Sequence, residues 1–515
     1  MPKDKFVTAE EAAALIRDGA TVGVVGAGGG LMEPSTMFAA IERRFLETQH
    51  PAGLTLVHAL GVGDRKEMGI NRFAHEGMVK RVIGGHWVWS PRMQRLARDE
   101  KIEAYVLPAG VVMQLYREIG AGRPGLVTHV GLGTFVDPRL SGGRMNASAK
   151  ASLVEVVTID GDEWLRYKPF PIDVAIIRGT YADPSGNVSL IGEAANLDVH
   201  AIALAAHNSG GKVIAQVRHA VEARSLAARS VHVPGALVDA IVVDPEQRTG
   251  YDIVVDPSLS GERRCAVPPA PPEPFTARQA IARRAAEELE EGDVVNYGFG
   301  VPDGVARLVA TRGEGERYQQ TIEHGAHGGT LLEGNLFGYA RNPSAIIDAP
   351  AQFDFYSGGG LDVAFLGFGQ IDAAGNVNVS MLGGLPVGPG GFIDIAQNAR
   401  KVVFCGTFEA KGAKLATGEG RLRVERHGEV KKLVRAVDQI TFSGAQALKQ
   451  RQEIIYITER AVFRLTPDGV ALTEIAPGVD LQRDVLERME FEPLLRELPR
   501  TMAAAHFEQP DRPAR

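Results

Sequence analysis

A glutamate followed by two histidines and several glycines is the segment of this sequence best suited to chemistry. Glu323 stands at the end of a short β-like run in TIEHGAHGGT (residues 321–330), and Gly325, Gly328 and Gly329 follow it on a predicted turn. A glutamate has an ordinary pKa of about 4.3, so it is ionised at neutral pH and can act as a nucleophile without a general base. Glu323 is therefore a candidate for covalent catalysis. The alternative is a glutamate that only caps a turn or a helix.

Glycine is abundant, with 60 residues, and it clusters directly after apolar β-branched runs. Such turns let backbone approach backbone or ligand closely, which is typical of α/β ligand sites. The first cluster, GVVGAGGG (23–30), resembles a dinucleotide-binding turn, but Leu31 stands where the third glycine is required. The sequence lacks a P-loop, an H-E-x-x-H pair, clustered Cys and His ligands and a G-x-S-x-G elbow, which disfavours ATP-driven ligation and metal hydrolysis.

The two halves of the chain repeat the elements that must position this glutamate. Thr8 and Thr276 each begin a capping box, and each predicted helix ends at a glycine before a short apolar strand and a glycine-rich turn. The two helices are predicted to bury Ala12, Leu15 and Ile16 in the first half and Ile281, Ala285 and Leu289 in the second.

The correspondence continues into the strands. VAIIRGTYADPSGNVSL (174–190) matches VAFLGFGQIDAAGNVNV (363–379), and Asp183 and Asp372 each precede a Gly-Asn turn. The apolar runs VAIIRG, KVIAQV, AIVVD, VAFLG and KVVFC predict buried parallel strands separated by helices. The predicted fold class is α/β, with two homologous, open and mainly parallel domains in one chain.

A proline-rich stretch marks the predicted boundary between the halves. With 515 residues the chain is longer than a single hydrophobic core usually serves, so more than one domain is expected. Residues 263–276 are predicted to be an extended linker between an N-terminal domain (1–262) and a C-terminal domain (277–515) that carries Glu323. The prolines of this linker are Pro268, Pro269, Pro271, Pro272 and Pro274.

Composition excludes several classes of partner. The chain has 56 Lys and Arg against 63 Asp and Glu, a formal charge of −7, so nothing draws it as a whole to nucleic acid or to anionic membranes. No apolar run approaches the roughly 20 residues that a membrane-spanning helix needs. Two cysteines, Cys265 and Cys405, suit a reducing compartment. We expect a cytoplasmic protein without nucleic-acid or membrane partners and without a metal site.

Further motifs occur in order along the chain. After TIEHGAHGGT come APAQFDFYSGGGLDVAFLGFGQIDAAGNVNVS (349–380), GPGGFIDIAQNARKVVFCGTF (388–408) and YITERAVFRL (456–465). The N-terminal half contains VIGGHWVWSP, YVLPAG and THVGLGTFVDPRLSGG (128–143). In this order the motifs resemble those of the family I CoA-transferases, in particular the fused single-chain acetate/propionate and 3-oxoacid type. The resemblance runs nearly from end to end.

The resemblance implies that Glu323 attacks an acyl-CoA to give an acyl-glutamyl anhydride and then a glutamyl-CoA thioester. The substrates would be acyl-CoA and small carboxylic acids, with coenzyme A as substrate, no permanently bound cofactor and a homo-oligomer (dimer or tetramer). Gly391 would supply a backbone N–H to the oxyanion, and Asn296 would lie near the reacting carboxylate. Alternatively, Gly391 is only a turn glycine and Asn296 only caps a strand end. The implied substrate- and CoA-binding positions are Gly28, Gly29, Thr36, Ala109, Gly298, Gly300, His324, His327, Gly388 and Gly390.

Departures from the family pattern concern the acyl substrate. Ala109 stands in LPAG where the family commonly has glutamine, so one oxyanion donor is missing, and Ala109→Gln is expected to raise the transferase rate. We expect His324 or His327 to face the acyl pocket and to favour a polar or second carboxylate group, since imidazole can carry positive charge near neutral pH and can donate a hydrogen bond when neutral. Alternatively, both rings point to solvent or cap the turn.

Two other functions remain open at this point. Ala109 is compatible with an acyl-CoA hydrolase, in which water intercepts the glutamyl intermediate. A non-catalytic CoA-binding or assembly protein would not need the nucleophile. Product analysis with and without an acceptor acid distinguishes these possibilities.

Overall fold

Two compact units make up the fold. The computed structural model describes residues 4–267 and 275–509. Within these residues, unit 1 comprises the chain up to residue 266 together with 322–357 and 383–394, and unit 2 comprises 267–321, 358–382 and the chain from 395 onward. The five linker prolines lie outside the described residues. The predicted limits 1–262 and 277–515 remain predictions, and by compactness the segment carrying Glu323 belongs to unit 1.

Unit 1 is built on a mainly parallel sheet. Its neighbouring strands run in the order β4-β3-β2-β1-β8-β10-β12, all parallel. Strands β9 and β11 continue from β8 as antiparallel additions, and β5, β7 and β6 form a separate antiparallel sheet. These strands are β1 (Thr21–Val24), β2 (Leu54–His58), β3 (Val79–Gly84), β4 (Glu103–Val106), β5 (Leu126–Thr128), β6 (Val154–Ile159), β7 (Asp162–Tyr167), β8 (Val174–Ala182), β9 (Val188–Ser189), β10 (Lys212–Ala220), β11 (Val231–Val233) and β12 (Ala240–Val243).

Short strands follow Glu323 in the same unit, and longer ones form unit 2. The remaining strands are β13 (Val294–Tyr297), β14 (Gln319–Thr321), β15 (Ala326–His327), β16 (Thr330–Leu331), β17 (Ala340–Arg341), β18 (Ala345–Ile346), β19 (Val363–Gly367), β20 (Gln370–Ile371), β21 (Val377–Asn378), β22 (Met381–Leu382), β23 (Leu385–Pro386), β24 (Lys401–Cys405), β25 (Glu409–Ala410), β26 (Lys414–Gly418), β27 (Arg421–Arg426), β28 (Val430–Lys431), β29 (Glu453–Ile457), β30 (Ala461–Thr466), β31 (Gly469–Ile475) and β32 (Arg500–Thr501). In unit 2 the order is β14-β13-β19-β24-β29-β30-β31-β32, parallel as far as β29.

Helices cover these sheets. The α-helices are α1 (Ala9–Ala14), α2 (Ser35–Thr48), α3 (Pro91–Arg98), α4 (Ala109–Gly120), α5 (Val199–Asn208), α6 (Ala277–Ala286), α7 (Asp303–Thr311), α8 (Ala349–Ser357), α9 (Phe392–Ala396) and α10 (Gly444–Lys449). Short 3₁₀ segments lie at Gly69–Phe73, Ala228–Ser230, Gly315–Arg317, Gly334–Leu336, Leu486–Arg488 and Ala504–Phe507, and a π turn lies at Leu481–Val485. Within the described part of the chain, no helix has the length and apolar character to cross a bilayer.

Both predicted capping boxes are present. Thr8 accepts a hydrogen bond from the Glu11 N–H at 3.1 Å, and the Glu11 carboxylate accepts one from the Thr8 N–H at 2.8 Å. Thr276 and Gln279 form the second box. The predicted helix ends were wrong, because α1 ends at Ala14 and α6 at Ala286, well before the next glycine. As a result Leu15 lies beyond α1 and is 39% exposed rather than buried.

The repeated sequence pattern produces repeated structure. The parallel order β1-β8-β10-β12 in unit 1 matches β13-β19-β24-β29 in unit 2, which confirms the predicted strands and the mainly parallel α/β class. The two Asp turns are equivalent as well. Asp183 accepts hydrogen bonds from the backbone and side chain of Asn187, and Asp372 does the same with Asn376. Each short side chain closes its own turn, so the same local sequence folds the same way twice.

Candidate active site

Glu323 lies on a tight turn in unit 1. The Gly325 N–H donates to the Ile322 carbonyl at 2.9 Å, and the Ile322 N–H donates to the Ala326 carbonyl at 2.9 Å. Gly325 has φ of +103°, and a Cβ there would lie 2.0 Å from the Ile347 carbonyl oxygen, so only glycine fits this close approach. The turn leaves the Glu323 side chain 17% exposed.

Gly391 lies directly against this carboxylate. A Cβ added to Gly391 would lie 1.9 Å from Glu323 Oε2, and the Gly391 N–H hydrogen-bonds to the carboxylate. Burial raises the pKa of Glu323 to about 7, while the hydrogen bond from Gly391 acts in the opposite direction. The predicted nucleophile and the predicted oxyanion donor are therefore adjacent, and the carboxyl group changes its charge near neutral pH.

The backbone that precedes Gly391 is anchored within unit 1. The Gly390 N–H donates to the Gly85 carbonyl at 2.9 Å, and the Gly390 carbonyl accepts from the Ala109 N–H at 2.9 Å. Gly388 also packs closely against Gly85, the residue that follows β3, since a Cβ at Gly388 would lie 2.6 Å from the Gly85 carbonyl oxygen. The predicted binding positions Gly388 and Gly390 thus shape the loop that presents Gly391.

Ala109 is the first residue of α4, and its side chain is fully buried. Its backbone N–H supports the Gly390 carbonyl, which is a role that any residue with an N–H can fill. A glutamine at this position would have to displace packed neighbours, because the site is closed to solvent. The effect of Ala109→Gln on the rate remains a prediction.

His324, the residue after the nucleophile, is a neutral imidazole. Its side chain is buried, and Nδ1 lies 3.0 Å from the Gly338 carbonyl oxygen, so Nδ1 carries the proton. Burial lowers the pKa of His324 to about 4, so of the two expected forms of the ring, charged and neutral, the neutral one predominates near pH 7. The alternative in which the His324 ring points to solvent was wrong, because the ring is buried. Nε2 lies 3.8 Å from Glu323 Oε1, beyond hydrogen-bond distance.

His327 is half-buried and bonded to helix α8. Its Nε2 lies 2.6 Å from Oε1 of Gln352, a residue with no exposed surface. Its ring also contacts Phe355, with 6.2 Å between the ring centroids. The expectation that His327 faces the acyl pocket remains a prediction.

The N-terminal glycine turn is packed by protein groups. A Cβ on Gly28 would lie 2.2 Å from the Trp89 ring, and one on Gly29 would lie 2.2 Å from the Asn335 carbonyl oxygen. Thr36, at the start of α2, receives its own contacts: its N–H donates to Gln216 and its hydroxyl to Asp244. Their predicted part in CoA binding is not tested by these contacts.

Three predicted positions lie in unit 2. Asn296 is buried in β13, and its side-chain amide donates to the Thr321 carbonyl at 3.3 Å. The Gly298 N–H donates to the Phe365 carbonyl at 2.7 Å, and Gly300 is exposed with φ of +99°. The roles proposed for these three residues remain predictions.

Sequence reasoning missed two residues beside the nucleophile. Phe353 of α8 lies 3.0 Å from the position of a Gly391 Cβ, and Asp394 is a fully buried carboxyl group. Both occur inside motifs that carry the resemblance, APAQFDFY and GPGGFID, but their type alone does not mark them as site residues. Among the described residues, no group of three or more His, Cys, Asp or Glu side chains is arranged to hold a metal ion.

Comparison with known proteins places this geometry in context. Residues 6–244 match the family model described as Coenzyme A transferase. The chain is 44% identical over 499 residues to a caffeate CoA-transferase of Acetobacterium woodii, covering 95% of each protein. It is 42% identical over 490 residues to the acetate CoA-transferase YdiF of Escherichia coli K12, covering 95% of this chain and 92% of that protein.

A solved structure matches over almost the same extent. The acyl-CoA transferase YdiF of Escherichia coli O157:H7, in a thioester complex with CoA, superposes with a TM-score of 0.93 at 41% identity. The match covers 98% of this chain and 96% of that one.

Proposed function

Because the chain belongs to the Coenzyme A transferase family, in its fused single-chain form, we propose that Glu323 is the covalent nucleophile of a short-chain acyl-CoA:carboxylate CoA-transferase. The observation that carries the proposal is the contact between the Glu323 carboxylate and the Gly391 N–H, at a position with no room for a Cβ.

The first half-reaction uses the ionised carboxylate. A Glu323 oxygen attacks the thioester carbonyl, the C–S bond breaks, and CoA thiolate leaves an acyl-glutamyl anhydride. The thiolate then attacks the glutamyl carbonyl carbon, the acyl carboxylate leaves, and a glutamyl-CoA thioester remains. An acceptor acid reverses these steps and leaves with CoA. The thioester bond energy is retained throughout, so the exchange requires no ATP.

Gly391 supports this chemistry by its position. Attack on a thioester or anhydride carbonyl places negative charge on oxygen, and a backbone N–H beside the nucleophile can stabilise that charge. The neutral His324 and the Phe353 ring leave the surroundings of Glu323 poorly solvating, which makes the carboxylate more reactive as a nucleophile than it would be in water.

The test is covalent trapping. The protein is incubated with acetyl-CoA alone, reduced with borohydride and digested, and the peptides are analysed by mass. We expect reduction of Glu323 alone, whereas Glu323→Gln should lose trapping and transfer. Glu316→Gln, at an exposed glutamate, is the control and should retain both. Trapping at another residue, or none in an active preparation, would refute the assignment.

Product analysis separates the alternatives. With acetyl-CoA and a second acid, a transferase forms the CoA thioester of that acid and a hydrolase releases free CoA. A non-catalytic binding protein forms neither product. Acetate and caffeate, the acids in the names of two relatives, bracket the acceptor sizes to be screened. Homo-oligomer assembly and cytoplasmic location remain predictions.

A further inference from the structure

Asp394 is a buried carboxyl group that caps a helix next to the proposed nucleophile. It has no exposed surface, and its Oδ2 accepts the Gly110 N–H at 3.2 Å, while the Val111 N–H also hydrogen-bonds to it. Gly110 and Val111 lie in the first turn of the twelve-residue helix α4. Backbone N–H groups at this end of a helix have no partner within the helix, so a side-chain carboxyl group satisfies them.

Asp394 lies three residues after Gly391, in the short helix α9 that follows the loop. The other side of Gly391 is held by Gly390, whose carbonyl accepts the Ala109 N–H. The start of α4 is therefore hydrogen-bonded to the chain on both sides of the Gly391 N–H that faces Glu323: to Gly390 before it and to Asp394 after it. Neither hydrogen bond touches the reacting atoms, so each acts on the nucleophile through the position of Gly391.

The fit between Asp394 and α4 requires a glycine in the helix. A Cβ at Gly110 would lie 2.5 Å from Asp394 Oδ1 and 2.5 Å from the Phe353 ring. Among the described residues, the Glu323 carboxylate and the buried Tyr167 hydroxyl interact electrostatically with Asp394. Burial, and then repulsion from Glu323, raises the pKa of Asp394 well above its ordinary value. An asparagine at this position would keep an acceptor oxygen for the α4 N–H groups.

We propose that Asp394 is a positioning residue, which holds the Gly391 N–H against the Glu323 carboxylate by capping helix α4. The inference rests on the proposed function of Glu323. It assigns to α4 a role in orienting the oxyanion donor, although the helix itself supplies no side-chain donor at Ala109.

The experiment compares four variants in the first half-reaction. Wild type, Asp394→Ala, Asp394→Asn, Gly110→Ala and Asp354→Asn are mixed with acetyl-CoA in single turnover, and Glu323 trapping is timed by mass spectrometry. Steady-state kcat and KM are measured alongside. Asp354 accepts hydrogen bonds from Gln114 and Arg117 of the same helix, but at the protein surface, so it is the matched control.

We expect Asp394→Ala to slow trapping and kcat at least tenfold, with KM for acetyl-CoA within threefold, because one oxyanion donor is worth about 10²- to 10³-fold. Asp394→Asn retains an acceptor oxygen and should recover most of the rate. Gly110→Ala displaces the carboxyl group without deleting it and should resemble Asp394→Ala. Asp354→Asn should remain within threefold of wild type.

The inference is overturned if Asp394→Ala stays within threefold of wild type, or if Asp394→Asn is as slow as Asp394→Ala. If Asp394→Ala fails to fold, Gly110→Ala decides: a rate within threefold of wild type overturns the inference. Absence of trapping in the wild-type protein refutes the proposed function instead, so the two failures are distinguishable.

Discussion

The Glu323 carboxyl group combines two opposing influences. The low polarity around it disfavours the negative charge, and the Gly391 N–H favours that charge. An ordinary glutamate is already ionised at pH 6, but this one titrates near pH 7, so its nucleophilic form is populated only as the pH rises through neutrality. His324 does not compete in this range, because its pKa is lowered to about 4.

We therefore expect the rate of the first half-reaction to rise with pH and to level off above a midpoint near 7. The protonated acid predominates below this midpoint and lacks the charge needed for attack. The measurement is single-turnover trapping of Glu323 between pH 5 and 9, with circular dichroism at each pH as a control for folding. A rate that is flat from pH 5 to 8 would show that Glu323 has the pKa of an ordinary glutamate.

At the scale of elements, three backbone segments converge on the nucleophile. The turn at Gly325 presents Glu323, the loop at Gly388 to Gly391 presents the donor, and the start of α4 anchors that loop. Gly388 and Gly390 have positive φ, of +74° and +57°, which favours glycine on backbone grounds. Gly391 lacks a positive φ, so a side chain there is excluded by its neighbours, chiefly the Glu323 carboxylate and also the Phe353 ring.

Gly391→Ala is accordingly expected to lower kcat at least a hundredfold while the protein stays folded. The added Cβ would occupy the position of Glu323 Oε2, so the carboxylate and the N–H must separate. Gly315→Ala is the control, because a Cβ there meets open space and φ is not positive. Transfer assays and thermal melts of both variants provide the measurement. A Gly391→Ala rate within tenfold of wild type would contradict the contact.

At the scale of the whole molecule, each unit contains its own buried ion pair. Arg178 and Glu193 pair at 2.9 Å in unit 1, and Arg460 and Glu409 pair at 2.7 Å in unit 2. Removing one member of such a pair leaves a buried charge with fewer partners, which typically costs about 3 kcal/mol or more. All three tryptophans, Trp87, Trp89 and Trp164, lie in unit 1 and report on that unit alone.

The division into units predicts that Arg460→Met separates two unfolding transitions. In Arg460→Met, far-UV circular dichroism should show that part of the secondary structure is lost at a lower urea concentration than in the wild type. Tryptophan fluorescence, which reports on unit 1, should change only in the later transition. Arg178→Met is the matched control and should move the fluorescence transition to lower urea. Coincident transitions by both probes in both variants would indicate that the chain unfolds as one cooperative body.

Features that depend on local sequence were predictable. The capping boxes and the Asp-x-x-Gly-Asn turns at Asp183 and Asp372 require only residues close together in the chain. The buried strands were predicted from continuous apolar runs, and all these features were confirmed. Glu323 was singled out by its residue type and its glycine-rich turn, and Gly391 by motif order, because a resemblance carries information that spacing alone lacks. The helix ends were wrong, since a glycine downstream does not set where packing stops a helix.

What only the tertiary structure decided depends on groups far apart in sequence. The sequence alone determined a duplicated, mainly parallel α/β chain with a glutamate on a glycine-rich turn. Folding brought Gly391 into contact with Glu323 and let Asp394 accept a hydrogen bond from the start of α4. It also buried His324, which hydrogen-bonds to the Gly338 carbonyl. The charge of a histidine or a carboxyl group follows from its burial and its partners, and long-range packing supplies both.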